Sequence, residues 1–313
     1  MNPSIMSLPP SATICEVGLR DGLQHEDILP TDFKLELIGR LIDAGVREIQ
    51  VASFVHSKWV PQMADAEAIC AGLERRDDVV YTALALNMKG LERAHAAGIS
   101  VVDLSISASD AHSIRNANMP LDEAERQMIA MIDRCHGLGI EPRAGLQCVF
   151  GCAHNEPVPL ERIVRMAARI AQAGAESVSL ADSTGVANPV QVRNVIQAAR
   201  AAIGDTPIVL HLHNTRGLGL ANVVAGLESG VTRFDAAVGG MGGCPFIPGA
   251  TGNIPTEDTV YLLESMGVKT GIDLHKVSGV AGLIEERLQK TFPGLIHRLI
   301  MDGGGEAVRV SGH

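Results

Sequence analysis

Residues 210–230 read LHLHNTRGLGLANVVAGLESG. His211 and His213 end an apolar run, and residues two apart in a strand share a side. Two imidazoles therefore stand together where a strand stops. A helical pattern follows and closes at Glu228-Ser229-Gly230, just before the next apolar run. The same close recurs in AHAAGIS, IAQAGAES and GLESGVTR. Gly98, Gly174 and Gly230 each stand where a left-handed residue would stop a helix and release the chain into a strand.

Outward from this unit the chain alternates apolar runs with amphipathic stretches. The expected strands are Ala12–Asp21, Arg47–Ser53, Val79–Leu86, Val101–Ser109, Glu141–Phe150, Glu176–Ser183, Pro207–Thr215 and Arg233–Gly240. Between the first two, Phe33, Leu37, Ile38, Leu41 and Ile42 share one helical face, with Thr31 as the N-cap and Gly45 as the stop. Eight such units predict an α/β fold, a closed (β/α)8 TIM barrel with extra C-terminal helices. The alternative is an open doubly wound sheet. No Gly-x-Gly-x-x-Gly follows the first strand, which counts against a dinucleotide fold. The chain is read as a single domain over 1–313. The barrel occupies about 12–255, a helical region about 256–290 and a mobile tail about 303–313.

Hydrophobic residues make up 46% of the chain and aromatics only 3%, so the core must be aliphatic, which suits a barrel filled by branched side chains. The net charge of −10 comes without any basic stripe, which excludes a nucleic-acid partner. No apolar stretch is long enough to span a membrane. The first residues, MNPSIMSLPPSATICE, lack the basic and apolar segments of a leader. The six scattered cysteines fit a reducing, cytoplasmic setting.

Catalytic groups of such barrels stand where strands end. The first strand ends in EVGLRDGLQHE, which puts Arg20 and Asp21 at the mouth; the eighth leads into GGMGGCPFIPGATGN. In a closed barrel the first, seventh and eighth strands are neighbours. Asp21, His211, His213 and Asn253 can then converge as a mixed nitrogen and oxygen donor set. Such a set suits Mg²⁺ or Mn²⁺, with Zn²⁺ or Co²⁺ as alternatives. Taken alone, the Arg-Asp pair could be a surface ion pair and the histidines could be satisfied core residues.

EVGLRDGLQHE, ASFVHSKWVPQMAD, HLHNTRGLGLAN and GGMGGCPFIPGATGNIPTEDTVYLLESMG together resemble the 3-hydroxy-3-methylglutaryl-CoA lyase family. The likeness runs from about Thr13 to about Lys276. The resemblance implies metal-dependent cleavage of a 3-hydroxyacyl-CoA to acetyl-CoA and a keto acid. Asp21, His211, His213 and Asn253 match the family's metal ligands, Arg20 its essential arginine and Cys244 the cysteine of its catalytic loop. The chemistry fits those residue types. Cleavage builds negative charge on the thioester oxygen, where a guanidinium can stabilise it. A divalent cation lowers the pKa of the substrate hydroxyl, and Asp21 or His213 is then the candidate base. Cys244 is the candidate for reprotonating the enolate, or else packs in its tight loop.

Expected substrate contacts are Arg20, Gln24, Gln50, Ser109, Gly145 and Asp182, with a structural turn the equal reading for Asp182; Lys58 and Trp59 line the acyl-CoA entry, unless Trp59 simply packs. Cys148 and Cys152 read as buried small residues or as a metal pair. Four positions depart from the family's pattern. Gln50 stands for a glutamate, Gly145 for a tyrosine, Asn214 for an aspartate and Arg216 for a tyrosine. Together they suggest a pocket retuned for another acyl chain, such as a branched or citramalyl-type 3-hydroxyacyl-CoA. Two other readings are an aldolase acting on a free hydroxy-keto acid and a non-catalytic acyl-CoA-binding or metabolite-binding relative. A homodimer is the assembly considered.

Overall fold

The computed structural model describes residues 8–152, 157–243 and 251–304. Eight parallel strands close into a barrel in sequence order. They are β1 (Thr13–Glu16), β2 (Glu48–Ser53), β3 (Val80–Ala85), β4 (Val101–Ser107), β5 (Glu141–Gln147), β6 (Ser177–Asp182), β7 (Ile208–Leu212) and β8 (Arg233–Ala236). Around them run α1 (Thr31–Asp43), α2 (Ala66–Gly72), α3 (Met88–Ala96), α4 (Asp110–Ala117), α5 (Leu121–Leu138), α6 (Leu160–Gln172), α7 (Pro189–Ile203) and α8 (Gly219–Glu228). Beyond the barrel lie α9 (Thr256–Ser265), α10 (Leu274–Leu288) and the short α11 (Ile296–Leu299). Pairing of β1 with both β2 and β8 excludes the open sheet. The repeated helix stops behave as expected, since Gly45, Gly98, Gly174 and Gly230 all take positive φ. Among the described residues, no helix is long and apolar enough to cross a membrane.

β1 and β8 end several residues before the apolar runs suggest, whereas β2 ends at Ser53 as expected. β1 stops at Glu16, and Arg20 and Asp21 ride instead on a single π-type turn, Gly18–Gly22. The cause is local. The Glu16 carboxylate accepts from Gly18 N at 2.8 Å, so the chain turns where a ladder bond would continue. β8 stops at Ala236, and Gly239 (φ 69°) and Gly240 (φ 74°) bend the chain away. Thr31 is the first residue of α1 and not its cap; its hydroxyl donates to Asp65 at 2.8 Å.

The aliphatic residues lie on the outer face of the barrel. Ile14, Ile49, Val102, Leu146, Leu180, Leu210 and Phe234 are buried in one cluster with the helices. The interior is polar, which corrects the expectation of an aliphatic filling. Glu48, Gln50, Asp103, Arg143, Ser179, His211, Arg233 and Asp235 alternate with those apolar residues and line one axial cavity. Low in that cavity Arg143 pairs with Glu48 at 2.8 Å and Arg233 with Glu176 at 2.7 Å. Those ion pairs let charged side chains sit inside the barrel.

The C-terminal helices brace the β8 loop. Both Glu257 carboxylate oxygens accept from Gly239 N at 3.0 Å, and Asp258 accepts from Leu295 N and Ile296 N. The expected mobile tail falls outside the described residues, apart from Gly303 and Gly304, which end a turn starting at Ile300.

Candidate active site

At the carboxyl ends of the strands the π-type turn, β7 and the 252–254 segment meet. His211 and His213 face each other with Nε2 atoms 3.2 Å apart, and His211 Nε2 lies 4.0 Å from Asp21 Oδ2. One ligand atom from each of the three residues falls within a 4.8 Å span. Asn253 reaches the same point through a lone bridge with His213, and its Nδ2 donates to Asp21 Oδ2 at 2.7 Å. Behind His211, Nδ1 stands 3.1 Å from Asp235 Oδ2. That contact fixes the ring and leaves Nε2 toward the cluster, as an outer carboxylate does for a ligating histidine.

The electrostatics suit a cation. Burial opposes charge on Asp21, yet Arg20, His211 and His213 hold its carboxyl well below the usual range. Burial, together with His211, lowers His213 to about 3, so its imidazole is neutral. The buried Asn253 Oδ1 and His213 Nδ1 have no hydrogen-bond partner among the described residues. Unsatisfied buried acceptors call for an explanation, and a divalent cation would give the Asn253 oxygen a partner. The donor set fits such an ion.

Arg20 completes the cluster. Its Nη1 donates to Asp21 Oδ1 at 2.6 Å and its Nε donates to Gln50 Oε1. Gln24 Nε2 donates to the same Asp21 oxygen at 3.0 Å. All open onto a cavity of about 1050 Å³ that also takes in Gly145 and, at its rim, the exposed Trp59.

The HMGL-like family model matches residues 11–284. The chain belongs to this family. A hydroxymethylglutaryl-CoA lyase of Bacillus subtilis is 40% identical over 92% of this chain and 97% of its own length. A cytoplasmic 3-hydroxy-3-methylglutaryl-CoA lyase of Rattus norvegicus is 36% identical over 92% of this chain and 84% of its own. The crystal structure of the Bacillus subtilis HMG-CoA lyase superposes with a TM-score of 0.92 at 39% identity, covering 95% of this chain and 100% of that one. An Acinetobacter baumannii HMG-CoA lyase in complex with coenzyme A and 3-methylmalate gives 0.88 at 35% identity, covering 94% and 96%. As a member of this lyase family, the protein is an enzyme of carbon–carbon bond cleavage.

Within the HMGL-like frame the four departures separate. Gln50 and Gly145 line the cavity. Asn214 and Arg216 do not, which corrects their reading as pocket residues. Asn214 Oδ1 accepts from Gly219 N at 3.0 Å at the start of α8, and Arg216 Nη1 donates to Thr184 O at 2.8 Å. Both brace loops. Two expected substrate contacts move likewise. Ser109 is buried as the N-cap of α4, accepting from His112 N at 3.1 Å. Both Asp182 oxygens accept backbone N–H groups, from Val186 and Ala187, so that carboxylate shapes the turn after β6. Cys148 and Cys152 are free thiols, and burial pushes Cys148 up to about 12. Cys244 lies outside the described residues. Asp103, Asp235, Thr82 and Glu16 belong to the site region and were not anticipated.

Glu16 ties the two catalytic loops together. Its carboxylate accepts from Gly18 N, from Val238 N at 2.9 Å and from Thr256 Oγ1 at 2.6 Å. Burial pushes its carboxyl from 4.5 up to about 7 despite those bonds. A carboxyl raised in the folded state contributes fully below its unfolded pKa and loses that contribution as pH rises through the folded value. A Gln at this position can keep the backbone bonds through its carbonyl oxygen and donate to Thr256. Thermal melts should therefore show Glu16→Gln gaining on wild type between pH 4.5 and about 7, by on the order of 3 kcal/mol. Parallel curves for the two proteins would assign the pH dependence elsewhere.

Proposed function

We propose that the protein cleaves a 3-hydroxyacyl-CoA, with 3-hydroxy-3-methylglutaryl-CoA the first candidate, to acetyl-CoA and a keto acid, here acetoacetate. The observation that carries this reading is the convergence of Asp21, His211 and His213 beside Arg20 at the mouth of the cavity. The names of the relatives support it. Asp21, His211, His213 and Asn253 would hold the cation, Mg²⁺ or Mn²⁺. When bound, it supplies Lewis acidity at the substrate hydroxyl. Arg20 stabilises the negative charge that develops on the thioester oxygen. The Asp21 carboxylate or the neutral His213 takes the hydroxyl proton. Cys244 remains the candidate for returning a proton to the enolate.

A second substrate reading draws on Gly145. A Cβ there would meet Leu104 O, Ser105 Oγ and Ser179 Cβ at 3.6 Å, which is ordinary contact. A side chain can therefore start from Gly145 without a clash, and its absence leaves that part of the cavity lining to the substrate, which favours a larger acyl substituent. The deciding experiment is a panel of 3-hydroxyacyl-CoAs and free 4-hydroxy-2-keto acids, with Mg²⁺ or Mn²⁺, read as acetyl-CoA or pyruvate release. Cleavage of the keto acids alone would indicate an aldolase, and no cleavage of any substrate a binding protein. Gly145→Tyr should fold normally and shift kcat/KM toward the methyl substrate by about tenfold relative to bulkier chains, as a filled subsite does. An unchanged ratio would remove Gly145 from specificity.

A further inference from the structure

Arg20 is the end of a hydrogen-bond chain that crosses three adjacent strands. Its Nε donates to Gln50 Oε1, Gln50 Nε2 donates to Asp103 Oδ2, and Thr82 Oγ1 donates to that same carboxylate oxygen at 2.6 Å. The barrel register supports the grouping, since Gln50 of β2 lies opposite Thr82 of β3. β4 brings Asp103 in from the far side, and Asp103, Gln50 and Arg20 all line the cavity.

A carboxamide has a donor end and an acceptor end of nearly the same shape, so packing alone does not choose between its two orientations. Turned the other way, Gln50 would set N–H against the guanidinium and a carbonyl against a carboxylate. Burial pushes the Asp103 carboxyl up, opposed by Arg143 and by the Thr82 and Gln50 bonds; in its ionised form it accepts only. It therefore rejects one orientation and holds the other. We infer that Asp103 is a positioning residue for the cleavage: it aims the Gln50 carbonyl at Arg20 and so fixes the guanidinium that faces the reacting thioester. The inference goes deeper into the lyase reading and rests on it for its rate assay.

This arrangement predicts a reversal of sign. A carboxylate at position 50 has two acceptor ends and needs no aiming. Beside Asp103, however, it would set two carboxylates in contact. Gln50→Glu should therefore harm the wild-type protein and help a protein that lacks the Asp103 carboxylate. Asp103→Leu should lower kcat by about ten- to a hundredfold, the size expected for one charge-assisted hydrogen bond at a reacting charge. KM should move by less than about threefold, because Asp103 acts through Arg20 on developing charge. Adding Gln50→Glu to Asp103→Leu should recover most of that loss, whereas Gln50→Glu alone should lose about tenfold. A residue that only supports the fold predicts no such rescue.

The assay is acetyl-CoA release by the four proteins of this cycle, each checked by circular dichroism and melting. If Asp103→Leu does not fold, Asp103→Asn replaces it. Thr82 can donate to or accept from either end of that Asn, so the Asn dictates nothing, and the same rescue is expected. Asp103→Leu within twofold of wild type, or Gln50→Glu harmful in both backgrounds, overturns the inference. If wild type cleaves no thioester, the lyase reading fails. The Gln50 side-chain amide then decides the matter in ¹⁵N-glutamine-labelled protein: an exchange-protected proton in wild type that is lost in Asp103→Leu supports the aiming role, and identical behaviour in both rejects it.

Discussion

Arg20→Gln should lower kcat by two to three orders of magnitude or more while changing metal affinity far less. The guanidinium is held on two sides before substrate arrives, by Asp21 at 2.6 Å and by the Gln50 carbonyl. Charge that is already oriented need not reorganise as the thioester oxygen becomes anionic, and removing one such preorganised donor typically costs about 3 kcal/mol or more. At roughly 1.4 kcal/mol per tenfold in rate, that sets the scale of the loss. Arg20→Lys separates charge from geometry. An ammonium retains the charge but cannot satisfy Gln50, Asp21 and substrate with one planar fork. Lys should therefore fall between Arg and Gln. Steady-state acetyl-CoA release and calorimetric metal titration of the three proteins test this. A loss of only about twofold in Arg20→Gln would take Arg20 out of the chemistry.

The barrel was legible because its signals are local and repeated. Each helix stop at Gly98, Gly174 or Gly230 needs only a left-handed glycine and a strand to follow. His211 and His213 were legible for the same reason, since two residues in one strand share a side. Strand ends were less so. β1 stops at Glu16 because a buried carboxylate captures Gly18 N, Val238 N and Thr256 Oγ1, and two of those partners lie over 200 residues away. Asp103 and Asp235 escaped for a related reason. Each is a single acid in a strand, and an isolated acid at an alternating position usually faces water. Only barrel closure turns those positions inward, against Gln50 and His211. Asn214 and Arg216 show the opposite error. Adjacency to a metal histidine suggests a pocket role, but alternation and the turn after β7 send both side chains to neighbouring loops.

Chelation with EDTA should abolish turnover, and Mg²⁺ or Mn²⁺ should restore it. The cluster gathers a carboxylate, two imidazoles and an amide oxygen within reach of one point. Asp21 stays ionised within the buried site, with Asn253, Gln24 and Arg20 all directed at its oxygens. His213 is neutral, and Asn253 Oδ1 has no partner among the described residues. A cation would meet both a carboxylate and an orphaned acceptor, and so complete the set. His211→Ala removes one donor and also frees Asp235 from the imidazole it holds at 3.1 Å. Metal affinity should then fall by more than the ten- to a hundredfold typical of disturbing an outer partner alone. Asp235→Asn gives that smaller effect by itself, because the His211 ring keeps a hydrogen-bond partner of weaker basicity. The expected order of metal affinity is wild type, then Asp235→Asn, then His211→Ala. Atomic emission analysis and calorimetry on the three proteins measure it. Full turnover in protein shown to be free of metal would refute the ligand assignment, and equal affinities in all three would place the cation elsewhere.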